Sequence, residues 1–219
     1  RQYTDQSLRD ILSKAFKDPS FAMLFLGFFS RGYQLAFMTA HFPALVTEMC
    51  GPILSGGILN SIGITTTSTL GAAALAVIGV TNIAGTLGAG YLGSCYPKKY
   101  LLFGVNTGRT IIATAFILTP ITPESVLLFS MFMGALWLAT VPLTSGLVGH
   151  IYGMRYMGTL FGLLFFSHQI GGFLGVWLGG CMYDIYGNYE AVWWVGIAIG
   201  AFSALIHLPI KERSITLAT

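Results

Sequence analysis

Residues 156–183 read YMGTLFGLLFFSHQIGGFLGVWLGGCMY, and this stretch decides the fold. It contains no Lys, Arg, Asp or Glu. About 20 apolar residues are enough for a helix to cross a hydrocarbon core of ~30 Å. The stretch therefore predicts a transmembrane helix.

Glycines recur in this stretch at a spacing of four residues. They are Gly158 and Gly162, followed by Gly171, Gly175 and Gly179. That spacing places small residues on one face of a helix, where a second helix can approach closely. We expect this face to be a helix-packing surface.

The middle of the stretch is polar, with Ser167, His168 and Gln169 in a row. Polar side chains at membrane depth are costly unless they face a partner or a water-filled cavity. One interpretation is a helix that lines a transport pathway. The other is a packing helix whose histidine is hydrogen-bonded by a neighbouring carbonyl. We favour the first, because ionisable groups inside a membrane usually serve function.

The composition of the whole chain agrees with a polytopic membrane protein. Of 219 residues, 54% are hydrophobic and 9% are charged, whereas a soluble domain has about 25% charged residues. The net charge of +3 needs no nucleic-acid partner to explain it. The three cysteines lack metal-ligand spacing, so we expect neither a metal nor a cofactor.

The order of hydrophobic runs and turn signals predicts a short surface helix followed by six spans. Residues 1–19 form a cytoplasmic linker with an amphipathic helix over 4–17, and residues 211–219 form a cytoplasmic tail. The transmembrane bundle occupies 20–210, with spans at about 20–46, 69–93, 100–119, 125–149, 156–183 and 191–210.

Basic residues predict the orientation of these spans. Nine of the eleven Lys and Arg residues fall in segments on one side, and the loops 47–68, 120–124 and 184–190 have none. By the positive-inside rule, both termini are cytoplasmic. The nine residues are Arg1, Arg9, Lys14, Lys17, Lys98, Lys99, Arg155, Lys211 and Arg213.

The other two basic residues, Arg31 and Arg109, lie within spans. Arg31 is eleven residues beyond Ser20, which places it ~16 Å into the membrane. Gln34 shares its helix face, and Asn82 is near mid-depth in the second span.

The fourth span carries a second polar group around a proline. Trp137, Thr140 and Thr144 share one side of the predicted helix, and Pro142 lies between them. Proline removes a backbone hydrogen bond, so we expect a kink at this point.

The eight acidic residues lie in loops or near span ends, so no carboxylate is available to pair with the buried arginines. A buried arginine keeps its proton, and its charge needs a partner. Backbone carbonyls, a segment outside this chain or an anionic ligand could supply one. Arginine binds carboxylates through two parallel hydrogen bonds, so we predict an anionic substrate. A purely structural role for either arginine remains the alternative.

Three segments resemble the second half of a major facilitator superfamily transporter. GAGYLGSCYPKK (88–99) is similar to the cytoplasmic loop motif of that superfamily, with Ser94 and Cys95 in place of its usual Asp and Arg. LWLATVPLTSGLVGHIYG (136–153) and TLFGLLFFSHQIGGFLGVWLGG (159–180) resemble bacterial members of the monocarboxylate-porter and oxalate/formate-antiporter branch.

The resemblance implies an all-α fold, in which the six spans are two inverted three-helix repeats and form half of the transporter. It implies that spans one, two, four and five line a central cavity, with span three and Arg109 behind them. An N-terminal six-helix half, in the same longer chain or a separate subunit, would complete the pathway. The expected location is the bacterial inner membrane. Asn82 and His168 would be approximate counterparts in the two repeats.

The leading functional hypothesis is secondary transport of a small organic anion, in which Arg31 binds the carboxylate. Gln34, Asn82, Thr140 and Gln169 would complete the site, and Trp137 would form its apolar wall. His168 is the candidate for a coupling proton, because histidine titrates near neutral pH. Arg109 is a less favoured contact.

Two other classes of function are open. A non-transporting membrane protein would use its glycine faces for assembly. An intramembrane enzyme is disfavoured, because adjacent Ser167 and His168 point ~100° apart on a helix and cannot act as nucleophile and base.

Overall fold

The computed structural model describes residues 7–53 and 58–214, and all the regular elements in these ranges are helices. Six segments are long and apolar enough to cross a membrane, as predicted. The first residues of the predicted linker helix and the last five of the tail lie outside the described residues. The helices are α1 (Leu8–Lys17), α2 (Pro19–Met49), α3 (Ile58–Ser61), α4 (Thr67–Cys95), α5 (Lys98–Leu118), α6 (Pro123–Ala135), α7 (Thr140–Tyr152), α8 (Met157–Tyr186) and α9 (Tyr189–Ile206).

The short helix α1 is fixed at both ends by side chains. Ser7 and Asp10 form a reciprocal capping box at its start. At its end, Asp18 caps the next helix by accepting a hydrogen bond from the backbone N–H of Ser20 at 2.9 Å. Ile11 and Ala15 of α1 are buried, whereas Phe16 is exposed. Only part of the predicted apolar face of α1 therefore packs on the bundle.

The fourth span is not the continuous helix over 125–149 that the sequence predicts. It consists of α6 and α7, which are separated by a break at residues 136–139. Pro142 is the third residue of α7, in the first turn, where its missing N–H has no helical acceptor to lose. The proline thus follows an interruption of the span instead of bending one helix.

The glycine face of α8 packs on α2. A methyl group added to Gly171 would overlap the carbonyl oxygen of Phe29, and one added to Gly175 would overlap that of Tyr33. Gly32 of α2 faces the carbonyl oxygen of His168 with equally little space. The predicted close approach is therefore present for this part of α8. Around Gly158 and Gly162, in contrast, no atom of another described helix lies within 4 Å of an added methyl group.

The helix pairs follow the symmetry of an inverted repeat. The first span (α2) packs on the fifth (α8), and the second (α4) packs on the fourth (α6 and α7). The third span (α5) packs on the sixth (α9). When the first three spans are exchanged with the last three, the pair formed by spans one and five becomes the pair formed by spans four and two. The pair formed by spans three and six stays the same. This is the arrangement expected of two three-helix repeats.

Polar residues lie between two apolar clusters. One cluster contains Phe42, Phe116 and Trp193, and the other contains Phe28 and Leu102. Arg31 on α2 and Arg109 on α5 are buried. On each of these helices, the arginine lies between residues that belong to the two clusters. The buried polar layer is therefore near the middle of the bundle.

The basic segments meet at one end of the bundle. Tyr152 donates a hydrogen bond to Asp18 at 2.7 Å, and the backbone N–H of Lys211 donates to Ser20 at 3.2 Å. Glu212 accepts a hydrogen bond from the backbone N–H of Lys98 at 3.1 Å. These contacts join the segments before α2, before α5, after α7 and after α9. They are the segments that the positive-inside rule assigns to a common side.

We expect this end to face the cytoplasm. The test retains the exposed native Cys95 as the reporter for this end, with Cys50 and Cys181 replaced by Ser. A second protein carries Pro120→Cys as its only cysteine, in the opposite loop. An impermeant maleimide should label the two from opposite sides of sealed vesicles, with Cys95 reacting from inside right-side-out vesicles. Labelling of both positions from the same side would contradict the topology.

Candidate functional site

The two intramembrane arginines are both buried. Arg31 on α2 is 3% exposed and Arg109 on α5 is 2% exposed. Within residues 7–53 and 58–214, neither guanidinium forms a salt bridge with a carboxylate. Burying an unpaired cation is unfavourable, so a stabilising contact is needed for each.

Aromatic rings supply part of that stabilisation. The Arg31 guanidinium carbon is 5.3 Å from the ring centroid of Phe28, and that of Arg109 is 6.0 Å from the ring centroid of Trp137. Such cation–π contacts contribute about 0.5–2 kcal/mol. Nη2 of Arg31 and both Nε and Nη1 of Arg109 have no hydrogen-bond partner among the described residues. Buried hydrogen-bond donors therefore remain available on both arginines.

Both guanidinium groups are buried in the apolar interior of the same helix bundle. Two like charges in an apolar interior interact more strongly than they would in water. A negatively charged ligand bound near them would reduce this repulsion and accept the unused hydrogen bonds.

Phe28 connects Arg31 with His168. The His168 ring is 5.8 Å from the Phe28 ring, centroid to centroid, and it stacks in parallel on Phe165 at 5.3 Å. His168 is half-buried, whereas Arg31 is enclosed. Arg31 and His168 thus both lie near the Phe28 ring, and His168 is the more exposed of the two.

The three consecutive polar residues of α8 point in different directions. The hydroxyl of Ser167 is 2.9 Å from the carbonyl oxygen of Phe25 and 2.6 Å from that of Leu164, and it donates to these oxygens. The hydroxyl is thus hydrogen-bonded to backbone carbonyls of α2 and α8. Gln169 is exposed, and its Oε1 is 3.4 Å from Nδ1 of His168.

Gln34 and Arg109 line a small cavity between α2, α5, α6 and α9. Gln34 donates a hydrogen bond to the carbonyl oxygen of Gly196 at 3.0 Å. The cavity has a volume of about 30 Å³, and Trp193 forms one wall. This volume suits about one water molecule. In this conformation the cavity is too small for an organic anion.

Asn82 has a defined structural contact at the break in the fourth span. Its side-chain oxygen accepts hydrogen bonds from the backbone N–H of Leu138 at 3.0 Å and from the hydroxyl of Thr86 at 3.1 Å. The Leu138 N–H would otherwise lack an acceptor at the point where α6 ends. Asn82 therefore connects α4 with the backbone at the break between α6 and α7.

Asn82→Ala is expected to lower the free energy of unfolding by about 1–3 kcal/mol, because it leaves the Leu138 N–H without a partner. Thr86→Val is the matched control, since it removes a hydrogen bond to the same oxygen and keeps the one from Leu138. Thermal unfolding in detergent should show a clearly larger loss for Asn82→Ala. A variant that loses anion affinity at unchanged stability would point instead to direct substrate contact.

Trp137 and Thr140 lie at the break itself. Trp137 is 9% exposed, and its ring contacts Arg109. Thr140 begins α7, and the hydroxyls of Thr140 and Thr144 are buried without a hydrogen-bond partner in the described part of the chain. These hydroxyls add further unused polar groups to the same interior layer.

The predicted site residues therefore form two groups. Arg31 and His168 meet at Phe28, with Gln169 beside them on the exposed face of α8. Arg109 contacts Trp137 and shares the small cavity with Gln34, so it is an interior residue. Asn82 is hydrogen-bonded to the backbone at the break in the fourth span. Phe28 was not among the predicted residues, although its position three residues before Arg31 places it on the same helix face.

Comparisons with known proteins agree with this fold. The chain is 26% identical over 191 residues to the uncharacterized MFS-type transporter YcxA of Bacillus subtilis, covering 85% of this chain and 43% of YcxA. Two crystal structures match 96% of the chain at 15% identity: an E. coli fucose:proton symporter, FucP (TM-score 0.69), and FucP in the outward conformation (TM-score 0.70). No protein-family model matches.

The chain spans less than half the length of these proteins: 43% of YcxA and 47–48% of the FucP chains. The similarities confirm the predicted major facilitator fold of six helices in a multi-pass membrane protein.

Proposed function

We propose that this chain forms part of a secondary transporter for a small organic anion, such as a monocarboxylate, and that Arg31 binds the carboxylate. The observation that carries the proposal is the pair of buried arginines, whose unused donors face an interior without a carboxylate partner among the described residues. An N-terminal six-helix half, in the same chain or a separate one, completes the pathway. The protein lies in a bacterial inner membrane with both termini in the cytoplasm.

Access to Arg31 requires movement of the helices or side chains around it. The Phe28 ring lies near the guanidinium, and both Arg31 and Phe28 are buried, whereas His168 is half-buried and Gln169 is exposed. An anion therefore first meets α8 and reaches Arg31 when the aromatic ring moves. Alternating access, in which two helix bundles rock around a central site, supplies such a movement.

The glycine faces give little support to the alternative of an assembly protein. Gly171 and Gly175 pack on α2 of the same chain, and the imidazole Nε2 of His41 lies 2.5 Å from the position of a methyl group at Gly179. These three glycines pack against other residues of the same chain. For these three glycines the predicted close helix contact is therefore made within the chain, whereas Gly158 and Gly162 have no such contact among the described residues.

The test is uptake of labelled monocarboxylates into proteoliposomes that contain the chain alone or together with an N-terminal six-helix half. We expect saturable uptake with both halves, which unlabelled carboxylates inhibit and neutral sugars do not. Equal inhibition by neutral sugars, or no binding of any carboxylate, would contradict the proposal.

His168 is proposed to carry the coupling proton. An anion bound beside it favours the protonated imidazole, so the loaded carrier takes up a proton near neutral pH. His168→Gln keeps a hydrogen-bonding side chain but cannot titrate. It should retain part of the binding and flatten the pH dependence of uptake between about pH 5.5 and 7.5, around the usual histidine value of ~6.5. Full pH dependence in the variant would assign coupling to another group.

A further inference from the structure

A groove at the basic end of the bundle is separate from the buried arginines. It lies between the start of α5, the end of α7 and the segment after α9, and it has a volume of about 580 Å³. We call it the tail groove, and it is lined by Lys99, Tyr100, His150, Lys211, Glu212 and Arg213.

The segment after α9 is held in place, so the groove has fixed walls. The Lys211 backbone N–H donates to the hydroxyl of Ser20. Glu212 accepts hydrogen bonds from the backbone N–H groups of Lys98 at 3.1 Å and Lys99 at 3.4 Å. Two neighbouring elements thus fix the position of the basic residues on either side of Glu212.

The charge of the groove is positive. Lys99, Lys211 and Arg213 contribute three cations, and Glu212 is the single carboxylate among its lining residues. That carboxylate is already occupied by the two N–H groups at the start of α5 and by the Lys98 ammonium at 3.9 Å. The three cations therefore have no carboxylate of the groove left to pair with.

The surroundings of the groove match the edge of a membrane. Tyr96 and Tyr100 are 60% and 57% exposed and lie where α4 ends and α5 begins. Exposed tyrosines are typical of the level of lipid headgroups. The Lys99 ammonium lies 4.9 Å from the ring centroid of Tyr100, which holds the charge at this level.

We propose that the tail groove binds the phosphodiester headgroup of an anionic phospholipid, such as phosphatidylglycerol. Basic pockets between transmembrane helices near the membrane surface suit such headgroups. Lys99 and Arg213 contact the phosphate oxygens, and Tyr100 lies beside the glycerol. This site is independent of the proposed anion transport, because it shares no residue with the arginine site.

The experiment titrates the detergent-solubilised full chain with dihexanoyl phosphatidylglycerol below its micelle concentration and follows binding by thermophoresis. Dihexanoyl phosphatidylcholine and inorganic phosphate are the comparison ligands. We expect phosphatidylglycerol to bind more tightly than either. Lys99→Gln combined with Arg213→Gln should weaken its binding by roughly 25-fold, since each basic residue near an anionic lipid contributes ~1 kcal/mol.

The matched control is Arg9→Gln combined with Lys17→Gln on α1. It removes the same charge from exposed positions at the same end but outside the groove, and it should leave the affinity nearly unchanged. Lys99→Arg with Arg213→Lys keeps the charge and should bind within a few-fold of the native chain. Equal weakening by the α1 control, equal binding of phosphatidylcholine, or inorganic phosphate binding as tightly as the lipid would each overturn the proposal.

Discussion

Arg31→Ala is expected to weaken binding of the organic anion by at least about 30-fold. Truncating one partner of a buried, hydrogen-bonded charge pair costs roughly 2–5 kcal/mol, and 1.4 kcal/mol corresponds to a factor of ten. Equilibrium binding of a labelled monocarboxylate to the reconstituted protein measures the loss. Arg109→Ala is the matched control and should have a smaller effect, because Arg109 contacts Trp137 and not the Phe28 ring that links Arg31 to His168.

Stability distinguishes a binding role of Arg31 from a structural one. Replacing an unpaired buried charge by an apolar side chain of similar length is often neutral or stabilising. Arg31→Met should therefore weaken anion binding as strongly as Arg31→Ala does, while the thermal unfolding midpoint stays the same or rises. A lower midpoint with retained binding would show that the guanidinium serves the fold, and a larger loss at Arg109 would reverse the roles of the two arginines.

Gly171→Ala is expected to destabilise the bundle by about 1–3 kcal/mol, because the added methyl group overlaps the Phe29 carbonyl and forces α2 and α8 apart. Gly162→Ala is the matched control on the same helix. No atom of another described helix lies within 4 Å of its added methyl group, and alanine is the better helix former by up to ~1 kcal/mol.

The two variants should thus change stability in opposite directions. Thermal unfolding in detergent, followed by circular dichroism, measures both. Equal midpoints for the two variants would contradict the close contact between Gly171 of α8 and the Phe29 carbonyl of α2.

The sequence was sufficient for the number of spans and for part of their packing. Hydropathy and turn signals are local properties of the sequence, and they predicted six spans. The spacing of Gly171, Gly175 and Gly179 predicted a close helix contact. It did not identify α2 as the partner, and it gave the same weight to Gly158 and Gly162, because spacing contains no information about the opposite surface.

The break in the fourth span could not be predicted from local sequence patterns. Residues 123–152 have continuous hydropathy, and a proline is compatible both with a kink and with the first turn of a new helix. Whether the span bends or breaks depends on a long-range contact. Asn82, 56 residues before Leu138, accepts a hydrogen bond from the Leu138 N–H at the break. The placement of Arg109 against Trp137 depends on the same long-range packing.

Charge selectivity tests whether the buried Arg31 guanidinium binds the carboxylate of the substrate. The measurement compares binding of a labelled monocarboxylate with binding of its neutral amide, which has nearly the same shape, in the native protein and in Arg31→Met. We predict that the native protein binds the carboxylate at least about 30-fold more tightly than the amide, and that Arg31→Met loses this preference. Equal binding of carboxylate and amide by the native protein would contradict the account.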